Sequence, residues 1–123
     1  MSIKKILIVD DQEMIRKLVK MTLAAEDFEV LEAKNGVEAL AIAQKKIPDV
    51  IILDVMMPGE LNGIDVCKQL RRIPVTKEAT ILMLSAKTQT VDKEEGIYAG
   101  ATDYLVKPFS PAHLLGKIRE HLG

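Results

Sequence analysis

Three aspartates, a serine and a lysine stand where short apolar runs stop. Ile6-Leu7-Ile8-Val9 ends at Asp10-Asp11, Val50-Ile51-Ile52-Leu53 at Asp54, Ala79 to Leu84 at Ser85, and Tyr104-Leu105-Val106 at Lys107. Gathered together, the carboxylates of Asp10, Asp11 and Asp54 would repel strongly in a partly desolvated site, so they need a cation or a raised pKa. A hard divalent cation with oxygen ligands is the natural partner, and Mg²⁺ uses one or two carboxylates while keeping several waters. Asp54 ends the clearest central run, where a carboxylate can act as a nucleophile toward phosphorus and carry an aspartyl phosphate. The Lys107 ammonium would offset charge on a phosphoryl oxygen. A cis bond to Pro108, the usual setting for that geometry, would direct the Lys107 side chain. Ser85 could donate its hydroxyl to a phosphoryl oxygen once one is present.

Each residue also has a plainer reading. Asp10-Asp11 suits the start of a helix, where acidic groups complement the dipole. Asp54 could open a turn, Ser85 could end or cap a strand, and a lone lysine is normally solvated. Tyr104 is either core packing or a ring that moves between exposed and buried positions. Convergence decides for chemistry over these readings, because the polar side chains end four separate runs.

The elements that must position these residues follow from periodicity. Ile15, Leu18, Val19, Thr22 and Leu23 keep the spacing of one helix face. Phe28 to Leu31 reads as a second strand. Asn35 with Glu38 marks the start of a helix running to about Lys46, and Pro48-Asp49 ends it. Asn62 caps a helix whose apolar positions are Ile64, Val66, Leu70 and Ile73. A helix is predicted over Thr90–Ala99 with Gly100 closing it. Ser110-Pro111 opens the last helix, with Leu114, Leu115, Ile118 and Leu122 on its apolar face. Strand and helix alternate five times, which predicts an α/β fold: a parallel, doubly wound sheet with helices on both faces. In such a sheet ligands bind beyond the carboxyl ends of the strands, where the candidate residues lie.

Composition bounds the remaining choices. The chain has 123 residues, 48% of them apolar, with two Phe, two Tyr and no Trp. The core must therefore be aliphatic, and a single domain over residues 1–123 is expected, with no output domain. A net charge of −1 with no basic stripe argues against direct nucleic-acid binding. Cys67 is the one cysteine, so an internal disulfide is excluded and a reduced thiol packed near the core is expected. The amino terminus has no signal-peptide pattern, and no apolar run approaches the roughly 20 residues a bilayer requires. A soluble, cytoplasmic protein without membrane contact is expected.

Four motifs in order carry a family resemblance across essentially the whole chain. Asp10-Asp11 after an apolar strand, Leu53-Asp54-Val55-Met56-Met57-Pro58, Leu84-Ser85-Ala86, and Asp103-Tyr104-Leu105-Val106-Lys107-Pro108-Phe109 resemble the receiver domains of two-component response regulators, including the chemotaxis-type single-domain receivers. The resemblance implies a flavodoxin-like, five-stranded parallel sheet in the order 2-1-3-4-5. It implies Asp54 as phosphoacceptor, Asp11 as a direct Mg²⁺ ligand, Asp10 as one acting largely through water, and the Met56 backbone carbonyl as a further contact. Lys107 resembles the phosphate-pairing lysine, Ser85 the switch hydroxyl and Tyr104 the switch aromatic. The implied donor is a histidine on a sensor kinase or phosphotransfer protein, with small acyl phosphates as substitutes. The only implied catalysis is self-phosphorylation and slow loss of the group to water. Ser85 then closes on the phosphoryl group, Tyr104 turns inward, and a changed surface selects a downstream protein.

Two departures stand out. The loop Pro58-Gly59-Glu60-Leu61-Asn62-Gly63 carries one residue more than is usual, which affects local geometry and the kinase-docking rim. Met56 replaces a side chain that is often polar and helps place the hydrolytic water, so slow autodephosphorylation is expected. Asp103, Lys117 and Arg119 sit where receivers of the DNA-binding winged-helix class pair across a dimer, but His113 stands where those domains usually have an acidic residue. A monomer or a phosphorylation-dependent dimer is therefore expected. The competing reading is a phosphorylation-independent pseudo-receiver, which usually lacks the acidic pair, the acceptor or the lysine. A phosphate-ester hydrolase would need a cap or insertion, for which no loop is long enough. A flavin-binding domain would need a phosphate-cradling first loop that is absent. The chain end suits either a free-standing regulator or a receiver cut from a longer one.

Overall fold

A computed structural model of the chain describes residues 3–86 and 99–122. The elements run β1 (Lys4–Val9), α1 (Glu13–Leu23), β2 (Phe28–Ala33), α2 (Gly36–Lys46), β3 (Val50–Asp54), α3 (Gly63–Arg72), β4 (Thr80–Ala86), β5 (Asp103–Lys107) and α4 (Pro111–Leu122). The helix expected over Thr90–Ala99 lies, but for Ala99, outside the described residues. Gly100 has φ 103°, a backbone conformation that glycine adopts without a Cβ clash.

All strand pairings are parallel, in the order β2-β1-β3-β4-β5, and the fold is flavodoxin-like as the resemblance implied. Side chains alternate along each strand, and in this sheet both faces are covered. Leu7, Val9, Ile51, Leu53, Ile81 and Met83 meet Ala39 and Ala43 of α2 and Ile64, Val66, Cys67 and Leu70 of α3 on one face. Ile6, Ile8, Val50, Ile52, Leu82, Leu84 and Leu105 meet Val19 and Leu23 of α1 and Leu114 and Ile118 of α4 on the other. Strands outrun the apolar stretches because pairing sets their length: Lys4 pairs with Phe28 and Val9 with Ala33. Among the described residues no helix is long and apolar enough to cross a membrane.

Local signals start the helices as the sequence suggests, with one exception. The Asn35 side chain accepts from Glu38 N at 2.8 Å, Asn62 and Asp65 form a reciprocal capping box, and Ser110 Oγ accepts from His113 N at 3.1 Å. The cap of α1 is instead Gln12, with no side-chain cap bond. The capping reading of Asp10-Asp11 therefore fails: the helix starts too late for either residue to cap it. Gly63 opens α3 hard against the end of β3, where a Cβ would fall 2.1 Å from the Asp54 carbonyl oxygen.

Arg71 closes the far end of α3. Its guanidinium donates to Gly100 O at 2.7 Å, Lys77 O at 2.9 Å, Ala79 O at 2.6 Å and Thr102 Oγ1 at 3.1 Å. It thus ties the α3–β4 connection to the turn that enters β5. Arg71→Met removes all four bonds while keeping much of the stem, and water can reach part of what is released. A loss of about 2 kcal/mol in urea unfolding is expected; an unchanged midpoint would show that the turn holds without it. Cys67 is fully buried in α3, and burial pushes its thiol up to about 11, in keeping with an unreactive reduced cysteine.

Candidate functional site

Strand order reverses around β1, since β2 lies on one side of it and β3 on the other. Asp10 directly follows β1 and Asp54 ends β3, so the two aspartates flank this switch point at the carboxyl edge of the sheet. Asp11, one residue on, is exposed. The carboxylates of Asp10, Asp11 and Asp54 each place an oxygen within 4.8 Å of the others.

Lys107, at the end of β5, reaches across to this group. Its Nζ lies 3.0 Å from Asp10 Oδ2 and 3.4 Å from Asp54 Oδ1. The Lys107–Pro108 peptide bond is cis. Asp10 is fully buried and Asp54 nearly so. Burial pushes the Asp54 carboxyl up, to about 6, and the Asp10 charge adds to the effect, while Lys107 and the Met56 N–H act against it. The Lys107 ammonium pairs with two of the three carboxylates, and all the acidic donors are hard oxygens, a set suited to a divalent cation.

The remaining candidates fall around this centre. Met56 exposes its side chain, but its N–H donates to Asp54 Oδ1 at 3.2 Å, bringing its backbone to the carboxylate. Leu84 pairs with Asp54, so Ser85 follows at the same edge. Ser85 is buried, and among the described residues its Oγ is the buried side-chain oxygen without a hydrogen-bond partner. An unmade bond to a buried hydroxyl costs stability, about 1–3 kcal/mol for such groups, and Ser85 Oγ keeps its capacity to donate. Tyr104 is half-buried, paired with Met83 and packed against the α2 and α3 face of the core.

A family model for the response regulator receiver domain matches residues 6–119. The chain belongs to the response regulator receiver family. The alkaline phosphatase synthesis transcriptional regulatory protein PhoP of Bacillus subtilis is 46% identical over 116 residues, which cover 94% of this chain and 47% of PhoP. The transcriptional regulatory protein ResD of the same species is 45% identical over 116 residues, 94% of this chain and 46% of ResD. This receiver thus spans about half the length of the curated relatives it matches. The chemotaxis response regulator CheY4 of Vibrio cholerae superimposes with a TM-score of 0.90 at 44% identity, over 97% of this chain and 98% of that one.

Two features of this receiver escaped the sequence. Arg16 of α1 donates from Nη1 to the Asp10 carbonyl at 2.8 Å and from Nε to Glu32 Oε1 at 3.1 Å. Nothing in the periodicity marks it, since it lies beside the apolar stripe like any helix arginine. The second is the pairing of Asp103, which accepts from Lys117 Nζ at 2.8 Å and faces His121 Nε2 at 3.0 Å. Burial works to raise its pKa, but the bonds from Lys117, His121 and the Tyr104 N–H outweigh it and hold the carboxyl well below the usual range. Arg119 pairs with Glu26. The charges considered for a dimer are thus engaged within the chain.

Proposed function

We propose that this receiver accepts a phosphoryl group on Asp54, with Mg²⁺, from a histidine of a sensor kinase or phosphotransfer protein. The Lys107 bridge to both Asp10 and Asp54 is the observation that carries the reading. An oxygen of Asp54 attacks phosphorus, the donor's bond to phosphorus breaks, and its electron pair leaves with the donor. Asp10, Asp11, Asp54 and the Met56 carbonyl would hold the cation, which when bound offsets charge on the transferring phosphoryl group. The Lys107 ammonium pairs with a phosphoryl oxygen once Asp54 is esterified. Ser85, buried and unpartnered, then donates to another, and Tyr104 follows it inward.

The change alters a protein-binding surface built on β5 and α4 together with the helix expected over Thr90–Ala99, which selects a downstream protein rather than a nucleic acid or a membrane. Before phosphorylation the pairing of Asp103 with Lys117 and of Arg119 with Glu26 supports a monomer. The receiver works in the cytoplasm, and its only catalysis is on itself.

Incubation with acetyl phosphate, with and without Mg²⁺, followed by intact-mass spectrometry beside Asp54→Ala, tests this. A magnesium-dependent gain of one phosphoryl group is expected in the wild type and none in the variant. No gain in the wild type would make the domain a phosphorylation-independent binding module. In the same assay Met56→Asn is expected to shorten the phosphoryl lifetime several-fold, within the roughly 10²–10⁴-fold reach of general acid–base assistance. An equal or longer lifetime would remove Met56 from any role in hydrolysis.

A further inference from the structure

We infer that Arg16 and Glu32 form a positioning pair for the cation site, acting through the Asp10 carbonyl to aim Asp11. The inference rests on the functional reading above and concerns how that site is held in shape. Asp10 is fixed at every polar atom. Its N–H donates to Ala33 O at 3.1 Å, and its carbonyl accepts from Arg16 Nη1 at 2.8 Å. Its Oδ1 accepts from Gln12 N at 2.9 Å, and its Oδ2 accepts from Lys107 Nζ at 3.0 Å.

The carbonyl bond matters for the next residue. The peptide unit is planar, so a carbonyl held in one direction also sets the Asp11 nitrogen and the course of the chain at Asp11. Asp11 is the exposed member of the three carboxylates, with no burial to restrain it. Arg16 in turn is held by Glu32 of β2, whose second oxygen takes Lys20 Nζ at 3.0 Å. The Arg16 side chain is 16% exposed, and its planar fork can span the carbonyl and the carboxylate together, which a lysine cannot do. The two last residues of β2 therefore grip Asp10 from both sides, Ala33 by its backbone and Glu32 through Arg16.

Position and charge make opposite demands on Mg²⁺ binding. If Arg16 acted only as a nearby positive charge, removing it would tighten Mg²⁺ binding. If it positions Asp11, removing it weakens binding, by about tenfold as for other groups that orient metal ligands. The measurement is the Mg²⁺ dissociation constant of the unphosphorylated, chelator-stripped protein by titration calorimetry. Arg16→Met is expected to bind about tenfold more weakly. Arg16→Lys keeps the charge and is expected to fall between it and the wild type. Lys20→Met, which touches the same Glu32 but not Asp10, and Leu23→Ala, which weakens α1 packing, are expected to bind Mg²⁺ no more weakly than the wild type. Tighter or unchanged binding in Arg16→Met, or equal weakening in Leu23→Ala, would overturn the positioning role. A wild type that binds no Mg²⁺ would overturn the functional reading and this inference with it.

Discussion

Lys107→Met is expected to slow phosphorylation of Asp54 by acetyl phosphate by about 100- to 1000-fold, the range seen when one preorganised charge-stabilising donor is removed. The reason lies in what the ammonium touches. It bridges Asp10 and Asp54, both buried, from a side chain that is itself 22% exposed. Methionine preserves the length of the stem and most of its packing, so the change isolates the charge. The same variant should be less stable without metal, by about 3 kcal/mol, because one partner of a buried ion pair is gone and the carboxylates remain. Mg²⁺ should return part of that stability by supplying another counter-charge. The comparison needs stopped-time mass spectra for the rate and urea titrations in EDTA and in Mg²⁺ for the stability. A rate within a few-fold of the wild type would show that Lys107 is structural and not part of the transfer machinery.

Asp54→Asn is expected to stabilise the metal-free protein at neutral pH. A carboxyl raised from 3.8 to about 6 means that the folded state holds its proton more tightly than the unfolded chain does. Below pH 3.8 both states are protonated and Asp54 costs nothing by ionisation. As pH rises toward 6 the unfolded chain ionises first, and the folded state loses stability. Above pH 6 the loss levels off, on the order of 3 kcal/mol. Asparagine avoids ionisation and can still accept the Met56 N–H. In EDTA the variant should therefore unfold at higher urea than the wild type at pH 7.5, with the difference shrinking toward pH 4. Adding Mg²⁺ should narrow or reverse it, since the wild type gains a ligand the variant lacks. Equal stability at pH 7.5 in EDTA would mean that the Asp54 carboxylate is already fully compensated by Lys107.

Both expectations describe a site kept under electrostatic tension until a cation and a phosphoryl group arrive. Asp54 sits on a strand whose five residues are all buried. That setting makes its ionisation costly, and Ser85 at the same edge has no hydrogen-bond partner among the described residues. Stability is given up at the residues proposed to act.

Much of this was legible in the residues themselves. An apolar, β-branched run buries favourably wherever it lies, so Ile6–Val9 and Val50–Leu53 had to be inner strands, and whatever followed them had to emerge at the sheet edge. Asp10, Asp11, Asp54 and Lys107 were placed at that edge this way, and the four motifs extended the reading to the strand order. Capping is equally local, and Asn35, Asn62 and Ser110 each bond within three residues.

Contacts between distant parts of the chain were not legible. Lys107 and Asp10 are 97 positions apart, and only assembly of the sheet, with β3 and β4 between β1 and β5, brings them to 3.0 Å. Arg16 and Arg71 look alike in the sequence, as helix arginines near charged neighbours. One grips the Asp10 carbonyl and the other four groups around the entries to β4 and β5, because polar side chains take whichever acceptors the folded backbone presents. Asp103, a residue that could equally have faced another molecule, was claimed by Lys117 and His121 once α4 packed beside β5. Side-chain hydrophobicity, a property each residue carries alone, thus determined the elements and their polar ends. Hydrogen-bond partnership, which exists only between positioned groups, was decided by the tertiary structure.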